Sequence, residues 1–217
     1  MGADVTLSAE VLLFDMDGTL VDSTKSAEDA WVRFAARHGI DAEKIVAVSH
    51  GRPTIEVVAQ FAPPGLDIQA ETDRIESEEI DRTEGITEIP GAAALLASLD
   101  PERWAVVTSA SRPLTVKRLP AAGLPLPKVL ITADDIVRGK PDPQGYRMAA
   151  EALGFDAANA VVFEDAEAGL LAGRAAKAAT VVVGDYNGLA AEGLPRIADM
   201  RSVRVTPNGT GLGVSLG

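Results

Sequence analysis

The chain has 217 residues, enough for one α/β domain with an insertion or two small domains, and enough to bury a core without covalent staples. Apolar residues make up 47%, charged residues 24% and aromatics 4%, an ordinary globular composition too poor in aromatics for a protein built on stacked bases. Lys and Arg number 20 against 32 Asp and Glu, a formal charge of −12 that argues against non-specific binding to nucleic acid or anionic membrane but leaves room for a local basic pocket.

In chain order, the opening MGADVTLSAE has no basic region followed by a long apolar stretch, and no apolar run approaches 18 residues. A soluble, cytoplasmic protein is therefore expected. The first strand is predicted at Val11–Phe14. A long interval without a strand run follows, in which Ser23–Gly39, Thr54–Phe61 and Ala70–Glu84 read as helices. Ala27, Ala30, Trp31, Phe34 and Ala35 recur at helical spacing, and Ser26 to Asp29 has the form of a capping box. Residues 21–88 thus read as a helical insertion, closing at Ile89-Pro90-Gly91, with Glu78, Glu79 and Asp81 on a solvated helix face.

Beyond it, strands are predicted at Trp104–Thr108, Val129–Ile131, Ala160–Phe163 and Thr180–Val183. Helices alternate with them at Gly91–Leu99, Leu114–Ala122, Pro143–Leu153 and Ala166–Ala176, with Pro120 disturbing the second. Alternation of this kind predicts an α/β fold, a Rossmann-like parallel sheet covered on both faces, built from residues 1–20 and 89–206. The tail 207–217 is Gly-rich and reads as mobile. Its GTGLG run follows no predicted strand and opens no helix, so it does not read as a phosphate loop.

The chemistry concentrates in Phe14-Asp15-Met16-Asp17-Gly18-Thr19-Leu20. Ligands collect at the carboxyl ends of parallel strands, and two carboxylates two residues apart on an extended segment can face one pocket. A calcium loop would need a glutamate at its twelfth position, where Ser26 stands. Without cysteine, disulfides, thiolate zinc sites and a cysteine nucleophile are excluded, and two histidines, His38 and His50, exclude a multi-histidine metal site.

LLFDMDGTLVDS resembles the first motif of the haloacid dehalogenase superfamily, most of whose members are magnesium-dependent phosphatases. Val106-Val107-Thr108-Ser109 resembles the second motif, Lys140 in Gly139-Lys140-Pro141-Asp142-Pro143 the third, and Val162-Phe163-Glu164-Asp165 the fourth. The resemblance spans residues 11 to 184. It implies Asp15 as nucleophile, Asp17 as acid and base, and Thr108, Ser109 and Lys140 around the phosphoryl group, Thr108 being favoured over Ser109 as the hydroxyl. It also implies Mg²⁺ at Asp15, the Asp17 carbonyl and Asp165, with Glu164 either in that set or orienting it.

The insertion resembles the small helical cap of the branch that includes β-phosphoglucomutase and the sugar or polyol phosphatases. In that light His50, Gly51 and Arg52 are expected to read the leaving group, with Thr54 an N-cap as the plainer alternative. Asp22 and Ser23 are substrate or gating candidates on the hinge. The expected activity is hydrolysis of a small sugar or polyol phosphate through an aspartyl-phosphate, in a monomer or weak homodimer. The alternatives are a phosphosugar mutase on the same scaffold, or a catalytically idle phosphosugar-binding protein.

Overall fold

The computed structural model describes residues 5–49 and 52–217. Its centre is a six-stranded parallel sheet built around β2 (Val11–Phe14). β5 (Trp104–Val107) and then β6 (Val129–Ile131) lie on one side of β2. On the other side are β7 (Ala160–Glu164), β8 (Ala179–Val183) and β9 (Arg196–Ile197). Every residue of β2, β5 and β7 is buried, as expected of parallel strands covered on both faces. Alternate side chains feed two different clusters. Leu12, Phe14, Val106, Val161 and Phe163 join one, in which Phe14 stacks on Phe163 at 4.9 Å. Val11, Leu13, Ala105, Val107 and Val162 join the other.

The first face is covered by α5 (Ala92–Ser98), by Leu119 of α6 (Arg112–Ala121) and by a second sheet. The second face is covered by α7 (Gln144–Ala152) and α8 (Glu167–Ala175). Pro120 sits one residue from the end of α6, where few hydrogen bonds remain for it to interrupt.

The second sheet corrects the reading of the tail. β1 (Val5–Ala9), β10 (Val203–Asn208) and β11 (Gly211–Leu216) form a three-stranded antiparallel sheet with β11 in the middle. Residues 207–217 are therefore structural, and the GTGLG run does follow a strand. Asn208 pairs with Gly211 across a two-residue turn, with Gly209 at positive φ, and Val214 and Leu216 are buried in the core of the first face.

The chain leaves the central sheet through β3 (Val21–Asp22) and returns through β4 (Thr87–Glu88), which pair antiparallel. Between them lie α1 (Thr24–His38), α2 (Ala42–Ser49), α3 (Thr54–Phe61) and α4 (Ile68–Ile80). These helices bury a separate cluster of Ala30, Trp31, Phe34, Ala35, Ile45, Val57, Val58 and Ile75. The sequence reading did not resolve α2. Ser26 lies inside α1 and donates to the Arg82 carbonyl, so there is no capping box there. Pro53, not Thr54, is the N-cap of α3.

The helix face read as solvated is largely engaged. Glu78 pairs with Arg33 at 2.9 Å and Arg37 at 3.0 Å, tying α4 to α1, while Glu79 is buried and only Asp81 is exposed. Among the described residues no helix is long and apolar enough to cross a membrane.

Candidate active site

The carboxyl ends of β2, β5 and β7 converge on one cavity of about 130 Å³, lined from below by Asp15, Asp17, Thr108, Ser109 and Asp165 and from above by Trp31, Ser49, Arg52 and Glu79. Asp15 directly follows β2, and its backbone N–H donates to the Phe163 carbonyl, extending the β2–β7 ladder by one residue. The chain then turns through Gly18 at positive φ. A Cβ at that position would overlap the Asp165 carboxylate, so only glycine lets this turn lie against the end of β7.

Lys140 carries the positive charge beneath the site. Its ammonium donates to Asp15 Oδ1 at 2.5 Å and to Glu164 Oε1 at 2.6 Å. Burial acts to lower its pKa, but the two carboxylates outweigh burial and raise it, so it stays charged. Glu164 is almost completely buried. It also accepts from the Tyr146 hydroxyl at 2.6 Å and, through Oε2, from the backbone N–H of Asp165. A Cβ at Gly169 would collide with its carboxylate, so α8 approaches Glu164 closely only because that residue is glycine.

Asp15, Glu164 and Asp165 offer carboxylate oxygens that all lie within 4.8 Å of one another. Burial and then the Glu164 charge raise the Asp15 pKa, with Lys140 opposing, and the same two causes push Asp165 up to about 8. Two buried carboxyl groups and a half-buried third crowd hard oxygen donors around one ammonium, and burial and mutual repulsion disfavour charging them all without a further cation. That donor set fits a hard divalent cation.

Thr108 and Ser109 follow β5. Thr108 is buried and its Oγ1 accepts from the Ala110 N–H at 3.1 Å, which leaves the hydroxyl proton free to donate. Ser109 is half-buried and lines the same cavity. Asp17 Oδ1 accepts from Ser23 Oγ at 2.5 Å and from Arg118 Nη1 at 2.9 Å.

The expected leaving-group residues are less uniformly placed. Arg52 lines the cavity, steadied by Gln60 at 2.8 Å. Asp22 does not reach the cavity. It is exposed and accepts the Thr24 N–H at the start of α1, while its neighbour Ser23 turns inward. His50 and Gly51 lie outside the described residues.

Two participants escaped the sequence reading. Tyr146 looks like any core aromatic until its hydroxyl is seen on Glu164. Arg118 is 5% exposed and bonds Glu79 of α4 at 2.5 Å as well as Asp17. A signal for it existed: Leu114, Thr115, Arg118 and Leu119 form the buried face of α6, and Arg118 is the one charged residue on that face. Burial pushes Glu79 up to about 7, with Arg118 opposing. Removing one partner of a buried ion pair of this kind costs about 3–5 kcal/mol.

Residues 9–177 match the haloacid dehalogenase-like hydrolase family. The chain belongs to this family. It is 45% identical over 175 residues to hexitol phosphatase A of Escherichia coli (strain K12), covering 79% of this chain and 81% of that one. It is 38% identical over 195 residues to 2-deoxyglucose-6-phosphate phosphatase 1 of Saccharomyces cerevisiae, covering 80% and 79%. Among solved structures it is similar to CbbY from Rhodobacter sphaeroides in complex with xylulose-(1,5)bisphosphate, with a TM-score of 0.75, 25% identity and coverage of 88% and 95%. As a member of this family it has the expected Rossmann-like core, and the cavity described above lies where its strands end.

Proposed function

We infer that this hydrolase cleaves the phosphate monoester of a small sugar or polyol through an aspartyl-phosphate on Asp15. One observation carries the reading. A buried carboxylate at the end of the central strand is paired with a lysine, flanked by two strand-end hydroxyls and followed two residues later by a second carboxylate on the same cavity. The phosphatase relatives add weight, since both act on phosphorylated sugars or polyols by name.

Lys140 holds Asp15 Oδ1 and Oδ2 attacks phosphorus, forming the Asp15–phosphorus bond as the phosphorus–ester bond breaks. The Thr108 hydroxyl, the Ser109 N–H and the Lys140 ammonium hold the phosphoryl oxygens, where charge spreads during transfer. Asp17 hands a proton to the departing alkoxide, then takes one from the water that attacks the acyl phosphate. Asp15 and Asp165, with the Asp17 carbonyl, are the groups that would hold Mg²⁺; Glu164 supports them through Lys140 and Tyr146. When bound, Mg²⁺ supplies charge neutralisation between the nucleophile and the phosphoryl group. The four inserted helices close the cavity from above and select the leaving group, Arg52 offering donors to its hydroxyls.

The reading extends to a cytoplasmic monomer or weak homodimer without nucleic-acid or membrane partners, in keeping with the charge of −12. The test is phosphate release with Mg²⁺ across sugar, polyol and nucleotide monophosphates. Turnover concentrated on hexitol or deoxysugar phosphates supports the reading. A phosphosugar isomer produced without free phosphate points instead to a mutase, and no reaction with any ester overturns the reading.

A further inference from the structure

Arg118 spans the seam between the two parts of the molecule. It belongs to α6 on the central sheet, its Nη2 donates to Glu79 on α4 of the inserted helices, and its Nη1 donates to Asp17 beneath the cavity. α4 packs directly on α6, so the pair sits within the contact that seats the inserted helices. The guanidinium Nε is buried and, among the described residues, has no partner. All three residues line the cavity. Arg37 likewise bridges two carboxylates, Glu71 and Glu78, but within the inserted helices, and other arginines staple backbone. Arg103 donates to the carbonyls of Glu10 and Thr210, stapling loops of the core, and touches no carboxylate of the site.

The pinned oxygen of Asp17 is always Oδ1, held by Ser23 and Arg118. Oδ2 has no hydrogen bond among the described residues, and Asp17 lines the cavity. A carboxylate on a turn can rotate, and proton transfer requires one oxygen within hydrogen-bond reach of the ester oxygen. A planar guanidinium anchored at both ends holds its partner in direction as well as in charge.

We propose that Arg118 is a positioning residue for Asp17 and that Glu79 aims it, so that seating α4 on α6 sets the orientation of the proton-transferring carboxylate. With the inserted helices seated, Glu79 and Asp17 share one rigid fork, and Oδ2 faces the leaving group. With them lifted, Glu79 withdraws, Arg118 loses its second anchor and Asp17 is no longer aimed. The acid is thus competent only over an enclosed substrate. The proposal rests on the phosphatase reading, because it assigns work to Asp17 as the leaving-group acid.

The test compares a hexitol 6-phosphate, whose alkoxide needs a proton, with p-nitrophenyl phosphate, whose phenolate barely does, using the full-length enzyme with Mg²⁺. Glu79→Ala and Arg118→Lys should lower the pre-steady-state rate of leaving-group release from the hexitol ester on the order of tenfold or more while changing that from the aryl ester less than about threefold, because the later attack of water is common to both. Glu79→Gln, whose amide oxygen can still accept from Nη2, should keep more than about half of the wild-type rate. In an Asp17→Asn background, Glu79→Ala should add less than about twofold, because both changes remove the same aimed acid. Equal losses on both esters in leaving-group release, or full multiplication of the losses with Asp17→Asn, would overturn the proposal and leave the pair a packing feature. If Glu79→Ala lacks a cooperative melt, Glu79→Gln and Arg118→Lys decide by the same criteria. A wild-type enzyme inert on both esters fails the phosphatase reading itself, and the proposal falls with it.

Discussion

The central sheet and the inserted helices are built on different terms. The sheet buries both faces of β2, β5 and β7 and presents carboxylates and hydroxyls at the strand ends, with Lys140 reaching them from the turn before α7. The inserted helices bury one small cluster around Phe34 and Ile75, and their charged groups are knitted by Arg33, Arg37 and Glu78 rather than by a sheet. The deeper packing sits where, on the proposed reading, geometry at phosphorus must be reproduced on every turnover. The less deeply packed unit sits where different esters must be admitted and enclosed, as expected of lids drawn from the low-stability end of a structure. Chemistry and selection should therefore fail separately.

The largest effect belongs to the sheet. Asp15→Asn should remove phosphate release from every ester alike, by on the order of a thousandfold or more, with an unchanged circular dichroism spectrum, since an amide cannot form the acyl phosphate. A variant that keeps a tenth of the activity on any substrate would dislodge Asp15 as nucleophile. Chelation should be comparably indiscriminate. EDTA should abolish turnover and Mg²⁺ restore it, whereas Ca²⁺, which takes more oxygens at longer distances, should not. Undiminished rates in chelator would break the assignment of the Asp15, Glu164 and Asp165 cluster.

A smaller and selective effect belongs to the insertion. Arg52→Ala should lower kcat/KM for a preferred polyol phosphate by on the order of tenfold, corresponding to one or two lost charge-assisted hydrogen bonds, and should change p-nitrophenyl phosphate much less. Proportional losses on both would place Arg52 in phosphate binding and blur the division between the two regions.

The last effect belongs to the seam and is read in stability rather than in rate. The folded-state pKa of Glu79, about 7, lies above its ordinary 4.5, so the folded protein binds the proton more tightly. The associated stability is complete below about pH 4.5 and is lost as pH rises through about 7, a contribution of up to about 3 kcal/mol. Arg118 and Arg33 moderate it, and Asp17 and Glu76 add to it. Between pH 5 and 8 the wild-type melting temperature should fall more than that of Glu79→Gln. Parallel curves would show that Glu79 ionises as freely as an exposed carboxylate.

What the sequence disclosed follows the same division. The parallel strands were legible because burial on both faces forces uninterrupted apolar runs such as Val11–Phe14 and Ala160–Phe163. The residues at their ends were legible because strand-end chemistry is local in sequence: Asp15 and Asp17, Thr108 and Ser109, Glu164 and Asp165. The second sheet was missed because its glycines and Pro207 mask an alternation, Leu212, Val214 and Leu216, that makes sense only once β1 is known to lie beside it. Glu79 and Arg118 were missed for a deeper reason. Arg118 stands out only as the one charge on the buried face of α6, Glu79 reads as one more acid on a charged helix, and only the packing of α4 on α6 shows that the two pair.

The short ladder of β3 and β4 has a consequence for how such a molecule can change over generations. Asp22 and Thr87 stand opposite one another, so the chain departs and returns at nearly the same place. A tight turn of a few residues would close that gap, leaving the strand order of the central sheet and both of its covered faces intact. The helices between these points can therefore be lengthened, shortened or exchanged wholesale without renegotiating the fold beneath them. On the proposed division of labour, new leaving groups become reachable by replacing those helices, while the phosphorus chemistry is inherited unaltered.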